Sequence, residues 1–165
     1  GCEVLKEQQP KRIVTIHEIV TYPKGLKELE KQIPTFSGQQ IWVNTNPYLH
    51  SRSIKAIEPV DREDDSGYCD LKLELDRHGA LVWMQLSVGM AKKPLAFVID
   101  GTYYRNIIID EMTDEDRREV LVRGPFDRVT AEALKKYAKQ NYRYYNQDED
   151  PLASLDLFGS KKGED

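Results

Sequence analysis

Residue types that build reactive centres are scarce in this chain of 165 residues, which holds 2 cysteines and 3 histidines. His17, His50 and His78 stand at spacings unlike those of metal ligands, so the sequence predicts no metal site. No phosphate loop, nucleophile motif or other signature of a small-molecule cofactor is present either. Surplus basic charge is also missing: 24 Lys and Arg face 28 Asp and Glu, a formal net charge of −4. Residues 146–165 hold six acids and two bases and account for that whole imbalance, which leaves the body of the chain balanced. A balanced body lacks the electrostatic footprint of nucleic-acid binding, so nucleic acid is not an expected partner. Long apolar runs are absent as well. No stretch approaches the ~18 consecutive apolar residues that read as a membrane-spanning helix.

What is present is informative at one place above all. Residues 93–110, KPLAFVIDGTYYRNIIID, are two apolar strands joined by Asp100-Gly101. Asp-Gly between such runs is a strong hairpin signal, because both turn residues must adopt positive φ. A two-residue turn there pairs Ile99 with Thr102, Val98 with Tyr103 and Phe97 with Tyr104. Both faces of this ribbon are largely apolar, so it needs a helical layer on one side and partial cover on the other.

The remaining elements follow from local patterns. Residues 11–20 (KRIVTIHEIV) read as a first strand with Val14, Ile16 and Val20 inward, which makes His17 a satisfied surface or edge residue. Residues 22–40, broken by Pro23, Gly25, Pro34 and Gly38, read as a connection around a short helical piece at 26–31. Ile41-Trp42-Val43 reads as a strand, and 51–57 as one or two helical turns ended by Pro59. The acidic run 61–67 has its glycine one place late for a calcium loop and no glutamate at position twelve, so it reads as an exposed hairpin loop. The following strand alternates, which buries Cys69, Leu71, Leu73 and Leu75 on one face.

Asp76 then caps a helix over 77–88, stopped by Gly89 in the αL conformation. Ala80, Trp83, Met84, Ser87 and Val88 form its inward stripe, and Gly79 in its first turn predicts a close backbone approach to the sheet. After a charged turn at 112–117, residues 119–123 are the last strand, closed by Gly124-Pro125. Thr130 opens the final helix, with Val129 and Leu134 as a hydrophobic staple and Ala131, Leu134, Tyr137, Ala138, Asn141 and Tyr145 on its stripe. One core is expected for this length. The fold class is α+β: a mainly antiparallel sheet with two principal helices packed on one face.

The order strand, helix opening near a glycine, GMAKKPLAFVIDG hairpin, strand ending in glycine and VTAEALKKYA resembles the head subdomain in the first periplasmic domain of the protein-export factor SecD. The resemblance runs over about residues 41–142, and its closest matches are 73–80 (LELDRHGA), 89–101 and 130–138. Two features depart from it. Asn106-Ile107-Ile108-Ile109 stands where the family has a small residue, proline and two apolar residues, and the last strand lacks a second glycine before its apolar core. The family's proton-driven step uses membrane helices and an intramembrane acid, neither of which these residues contain. What the resemblance implies is a non-catalytic surface outside the cytoplasmic membrane that contacts an extended polypeptide or an envelope protein, accessory to protein export or envelope assembly.

Cys2 precedes the polar stretch 3–10 in a chain without an initiator Met, and resembles the lipidated cysteine of a bacterial lipoprotein after its signal peptide has gone. SecD-like heads also occur as stand-alone lipoproteins, which agrees with such an anchor. Several acyl chains on one cysteine supply the stable membrane attachment that a single chain does not. The expected organisation is thus a tether at 1–10, one α+β domain at 11–145 and an acidic, disordered tail at 146–165, in which Leu152, Leu155, Leu157 and Phe158 form a candidate docking segment. The expected location is the bacterial cell envelope, facing the periplasm or the exterior. A Cys2–Cys69 disulfide is not expected, because one residue is terminal and the other reads as core.

Candidate protein contacts are Tyr103, Tyr104 and Arg105, close to the hairpin tip, where rigid scaffolds often carry recognition. The alternative function is an extracytoplasmic hydrolase using Asp100, Asp110 or Glu111 with His78 or His17, which requires these groups to converge within hydrogen-bond reach. A purely structural role through an open sheet edge, at 11–20 or 119–123, is the third.

Overall fold

The computed structural model describes residues 9–64, 66–111 and 117–147. Cys2 and most of the expected tether, most of the charged turn and the acidic tail from 148 onward lie outside the described residues.

The apolar ribbon is the middle of the molecule. It consists of β7 (Pro94–Ile99) and β8 (Thr102–Ile108), joined by Asp100 and Gly101 at φ 52° and 80°. With β1 (Val14–Glu18) and β4 (Leu49–His50) it forms an antiparallel sheet in the order β4-β1-β7-β8. Along β7, Leu95, Phe97 and Ile99 enter the main core while Ala96 and Val98 enter a second, smaller one. Period-two alternation of uniformly apolar residues therefore makes both faces sticky.

Each face has its own cover. On the smaller side lies a hairpin of β2 (Glu30–Pro34) and β3 (Gln40–Asn44), which contributes Ile33 and Val43. On the main side lies the sheet β5-β6-β9, made of β5 (Ile54–Asp61), β6 (Cys69–Leu75) and β9 (Glu119–Phe126), together with α1 (Arg77–Gly89) and α2 (Arg128–Asn146). Cys69, Leu71, Leu73 and Leu75 of β6 are all fully buried, as their alternation predicts. The architecture is α+β, with mainly antiparallel sheets and two helices. The helices lie less against the ribbon than its apolar faces predict: α2 runs along β5 and the 3-10 turn Ser51–Ser53, and α1 meets β4, β6 and the same turn.

Several local expectations change. The 22–40 connection contains β2, whose alternation is faint because Ile33 alone is buried in it; tertiary cover of the ribbon, more than propensity, makes it a strand. The 51–57 segment is helical only over its first three residues and then becomes β5. Ile54 and Ile57, both buried, mimic helical spacing because a bulge between Ile54 and Ala56 breaks the strand period. Pro59 is accommodated because β5 is the edge of its sheet. Gly89 remains helical, the cap is Met90, and Val88 is 82% exposed, so Leu86 replaces it on the buried stripe.

At the last helix the N-cap is Asp127, whose carboxylate accepts from the Thr130 amide at 2.9 Å. Val129 is exposed and forms no staple; Phe126 and Ala131, both fully buried, occupy the staple positions instead. Asn141 is buried on its stripe as expected, and Gly79 is closely approached, though first by the 3-10 turn and only then by β6 of the sheet. A Cβ on Gly79 would lie 2.8 Å from the Ser53 carbonyl oxygen, and Asn141, buried on its stripe, donates to the Lys11 carbonyl at 2.7 Å.

Candidate functional site

A bulge in the ribbon shapes the candidate surface. Val98 pairs with Tyr103 as expected, but Phe97 then faces Arg105, because Tyr104 is the extra residue between them. Inserting one residue re-aims the side chains around it. Tyr103 joins the smaller core, donates its hydroxyl to Asn106 Oδ1 at 2.8 Å and bridges Thr35 through its backbone. Tyr104 instead packs against the main core, stacked on Phe126 with ring centroids 5.5 Å apart. The three candidate contacts therefore split: Tyr104 and Arg105 share one cleft, and Tyr103 is turned elsewhere.

Tyr104 is held firmly. Its hydroxyl donates to Asp127 Oδ1 at 2.6 Å and accepts from the Asp127 amide at 3.0 Å. Burial pushes the phenol above its usual value, and donation to Asp127 adds to that. Burial also pushes the Asp127 carboxyl upward, but hydrogen bonds from Tyr104 and Thr130 outweigh it and hold the group below its usual value. Arg105 donates to the backbone carbonyls of Asn106 at 2.9 Å and Pro125 at 2.5 Å, with its guanidinium 5.7 Å from the Phe126 ring centre. No carboxylate pairs with it among the described residues.

An open cleft of about 500 Å³ lies over this pair, lined by Phe36, Tyr104, Arg105, Pro125, Asp127 and Thr130. Phe36 meets Tyr104 edge-on at 6.3 Å yet remains 73% exposed. Sequence reasoning missed Phe36, which sits just beyond β2 in the segment read as connection. The signal for it was an aromatic residue between a proline and a glycine, too weak to use alone.

A second cleft, of about 390 Å³, continues on the other side of Arg105 between β8 and β9. Ile107, Ile108, Arg62, Arg123 and Gly124 are among its walls. β8 and β9 are each the edge of a sheet, and no backbone hydrogen bond joins them among the described residues. Thus 119–123 is the open edge, whereas β1 lies between β4 and β7.

The residues of the hydrolase reading have separate partners. Asp100 accepts from the Ile13 amide at 2.8 Å and pairs with Arg12, while Asp110 pairs with Arg123 at 2.6 Å. His17 is only 3% exposed, contrary to its expected surface position. Its Nδ1 lies 2.7 Å from the carbonyl oxygen of Asn44 in the covering hairpin, and its Nε2 2.9 Å from Thr15 Oγ1 on its own strand. Glu111 and His78 are exposed. No cluster of three metal-ligating side chains occurs among the described residues. Cys69 is a buried free thiol, pushed by burial above its usual value.

No protein-family model matches this chain, and no curated protein is similar to it. Solved structures do match. The chain superposes on a structure of SecDF, described as a membrane component that enhances protein export, with a TM-score of 0.52 and 16% identity over 79% of this chain and 63% of that one. The fold is SecD-like. SecDF in its super-membrane-facing form gives the same score and identity over 81% of this chain, although it matches only 19% of that much longer chain. The chain thus spans less than two thirds of either SecDF structure. Its SecD-like fold is the architecture that the 41–142 resemblance predicts, reached with the NIII strand end and single glycine that depart from the family pattern.

Proposed function

We propose that this protein is a non-catalytic protein-binding module of the bacterial cell envelope, tethered through lipidated Cys2 and accessory to protein export or envelope assembly. The supporting observation is the likeness of its fold to SecDF across most of the chain. The cleft agrees with it, since exposed Phe36 beside the held Tyr104 and Arg105 is the mixture of aromatic and guanidinium that dominates protein interfaces. Asp100, Asp110 and His17 serve the scaffold in this reading. No helix among the described residues is long and apolar enough to cross a membrane, and attachment in this reading is through Cys2.

Fractionation and envelope crosslinking of wild type and Cys2→Ala test both parts. Wild type is expected with membranes and Cys2→Ala in the soluble fraction. Wild type should also crosslink to a defined envelope protein or a translocating polypeptide. An unchanged distribution of Cys2→Ala rejects the anchor, and turnover of an ester, peptide or glycoside by the purified chain rejects the non-catalytic reading.

A further inference from the structure

The C-terminal half of α2 carries an inference about what lies beneath the domain. Residues 11–13 are strapped to this part of the molecule: the Lys11 amide and carbonyl both bond the Asn141 side chain, at 3.2 and 2.7 Å, and the Ile13 amide donates to the Asp100 carboxylate at 2.8 Å. A tether preceding them therefore leaves between the hairpin tip and α2. Asn146 donates to the Arg52 carbonyl at 3.0 Å, which brings the 3-10 turn to the same end.

Unpaired charge at this end has one sign. No Asp or Glu occurs from 133 to 147, while Lys136, Lys139 and Arg143 stand exposed along the outer side of the helix. Lys11 and Arg52 join them from neighbouring segments, and no carboxylate pairs with any of these cations among the described residues. Three of them lie by aromatic rings instead: Lys11 and Lys136 are 5.8 and 5.4 Å from the centre of the Tyr137 ring, and Arg52 is 5.4 Å from that of Tyr145. Tyr144 meets Tyr145 edge-on at 5.2 Å, and Asp100 is paired with Arg12. Attraction to the helix dipole accounts for Arg143 in the last turn, but not for Lys11, Arg52 or Lys136.

We propose that this cationic, tyrosine-rich face docks on anionic phospholipid head groups, so that the anchored domain sits with the C-terminal half of α2 and the hairpin tip toward the membrane. This rests on the Cys2 tether above for the nearness of a membrane, and adds a surface that an anchor alone does not require. Clustered Lys and Arg are drawn to a negatively charged bilayer, and tyrosine, apolar in its ring and polar at its hydroxyl, suits the head-group layer. The contact is weak and sensitive to salt, so it orients the domain while the acyl chains hold it. From Asp127 to Asn141 the helix rises about 21 Å at ~1.5 Å per residue. The Phe36–Tyr104 cleft, which borders Asp127, thus stands at the end away from lipid and stays open to protein partners.

Co-sedimentation of the full chain carrying Cys2→Ser with vesicles tests the surface apart from the anchor. Binding is expected to vesicles of equal parts phosphatidylglycerol and phosphatidylcholine but not to phosphatidylcholine alone, and it should vanish between about 0.1 M and about 1 M salt as the screening length shrinks. Lys136→Glu, Lys139→Glu and Arg143→Glu together should weaken it by about tenfold or more, and the three Gln substitutions should act in the same direction less strongly. Lys24→Glu, Lys27→Glu and Lys72→Glu, an equal change of net charge at exposed positions elsewhere, should weaken it by at most about twofold. Thermal melts show that each variant folds. No binding by the full chain, equal binding to neutral vesicles, or equal weakening by both Glu sets overturns the proposal. Binding that appears only when Asp148→Asn, Glu149→Gln and Asp150→Asn are combined assigns the surface to the acidic segment after α2 and overturns it as well. Vesicle binding with an unchanged cellular distribution of Cys2→Ala rejects the anchor and leaves this surface standing, whereas a soluble Cys2→Ala without vesicle binding keeps the anchor and refutes the surface alone.

Discussion

Asp127 does two jobs with one carboxylate, capping α2 and fixing the Tyr104 hydroxyl. Asp127→Ala is expected to lower stability by about 1–2 kcal/mol, the range for a lost N-cap, and Tyr104→Phe by about 1 kcal/mol, since it keeps the Phe126 stack and loses only the hydroxyl. Urea titration of both variants reads these values. Because the folded-state carboxyl sits below its ordinary value, its stabilisation is complete above that value and disappears as pH falls through the lowered one. His50 responds oppositely in chemistry yet in the same direction in pH. Burial, then the nearby Arg52, lowers it from 6.5 to about 4, while its Nδ1 accepts from the Arg52 amide at 2.9 Å and its ring lies edge-on to Tyr145. The unfolded chain takes up this proton first, so stability should decline as pH drops from 6.5 toward 4 and the His50 contribution should flatten below that. NMR titration of the imidazole checks the midpoint; a value near 6.5 would show the ring to be solvated.

At the level of elements, Gly79 separates two opposing effects. Alanine in a helix interior ordinarily gains about 1 kcal/mol over glycine, but here its Cβ would press on the Ser53 carbonyl oxygen and the Ser53 and Leu75 Cβ atoms. Helix α1 would have to lift from the 3-10 turn, so Gly79→Ala is expected to destabilise by about 1–3 kcal/mol; a higher melting temperature would contradict the packing described. This approach was legible in the sequence because a glycine in a first helical turn is unfavourable without a tertiary reason. The ribbon and β6 were legible for a similar reason, since turn chemistry and alternation are local. β2 and β5 were not: the first has one buried residue, and a bulge disguises the second. The α2 start was misplaced by three residues because Asp127 and Thr130 are both good caps, and the sequence does not show that the Asp127 carboxylate, held by the Tyr104 hydroxyl, is the one that takes the Thr130 amide.

For the whole molecule, the sequence predicted the fold class and the SecD-like order, but the site only in part. Tyr104 and Arg105 meet in a cleft, whereas the bulge that separates them from Tyr103 depends on how β8 packs between two cores. Phe36 and Arg123 come to the same surface from segments 87 residues apart, a relation that no local pattern encodes. The central claim is that this surface holds proteins. Photocrosslinking in the cell envelope tests it most directly, with the reactive group placed in turn at Phe36, at Ile108 and at Val88, an exposed apolar residue of α1 outside both clefts. The account predicts defined polypeptide adducts from Phe36 and Ile108, and none from Val88. Equal adducts from all three positions, or adducts from Val88 alone, would contradict it.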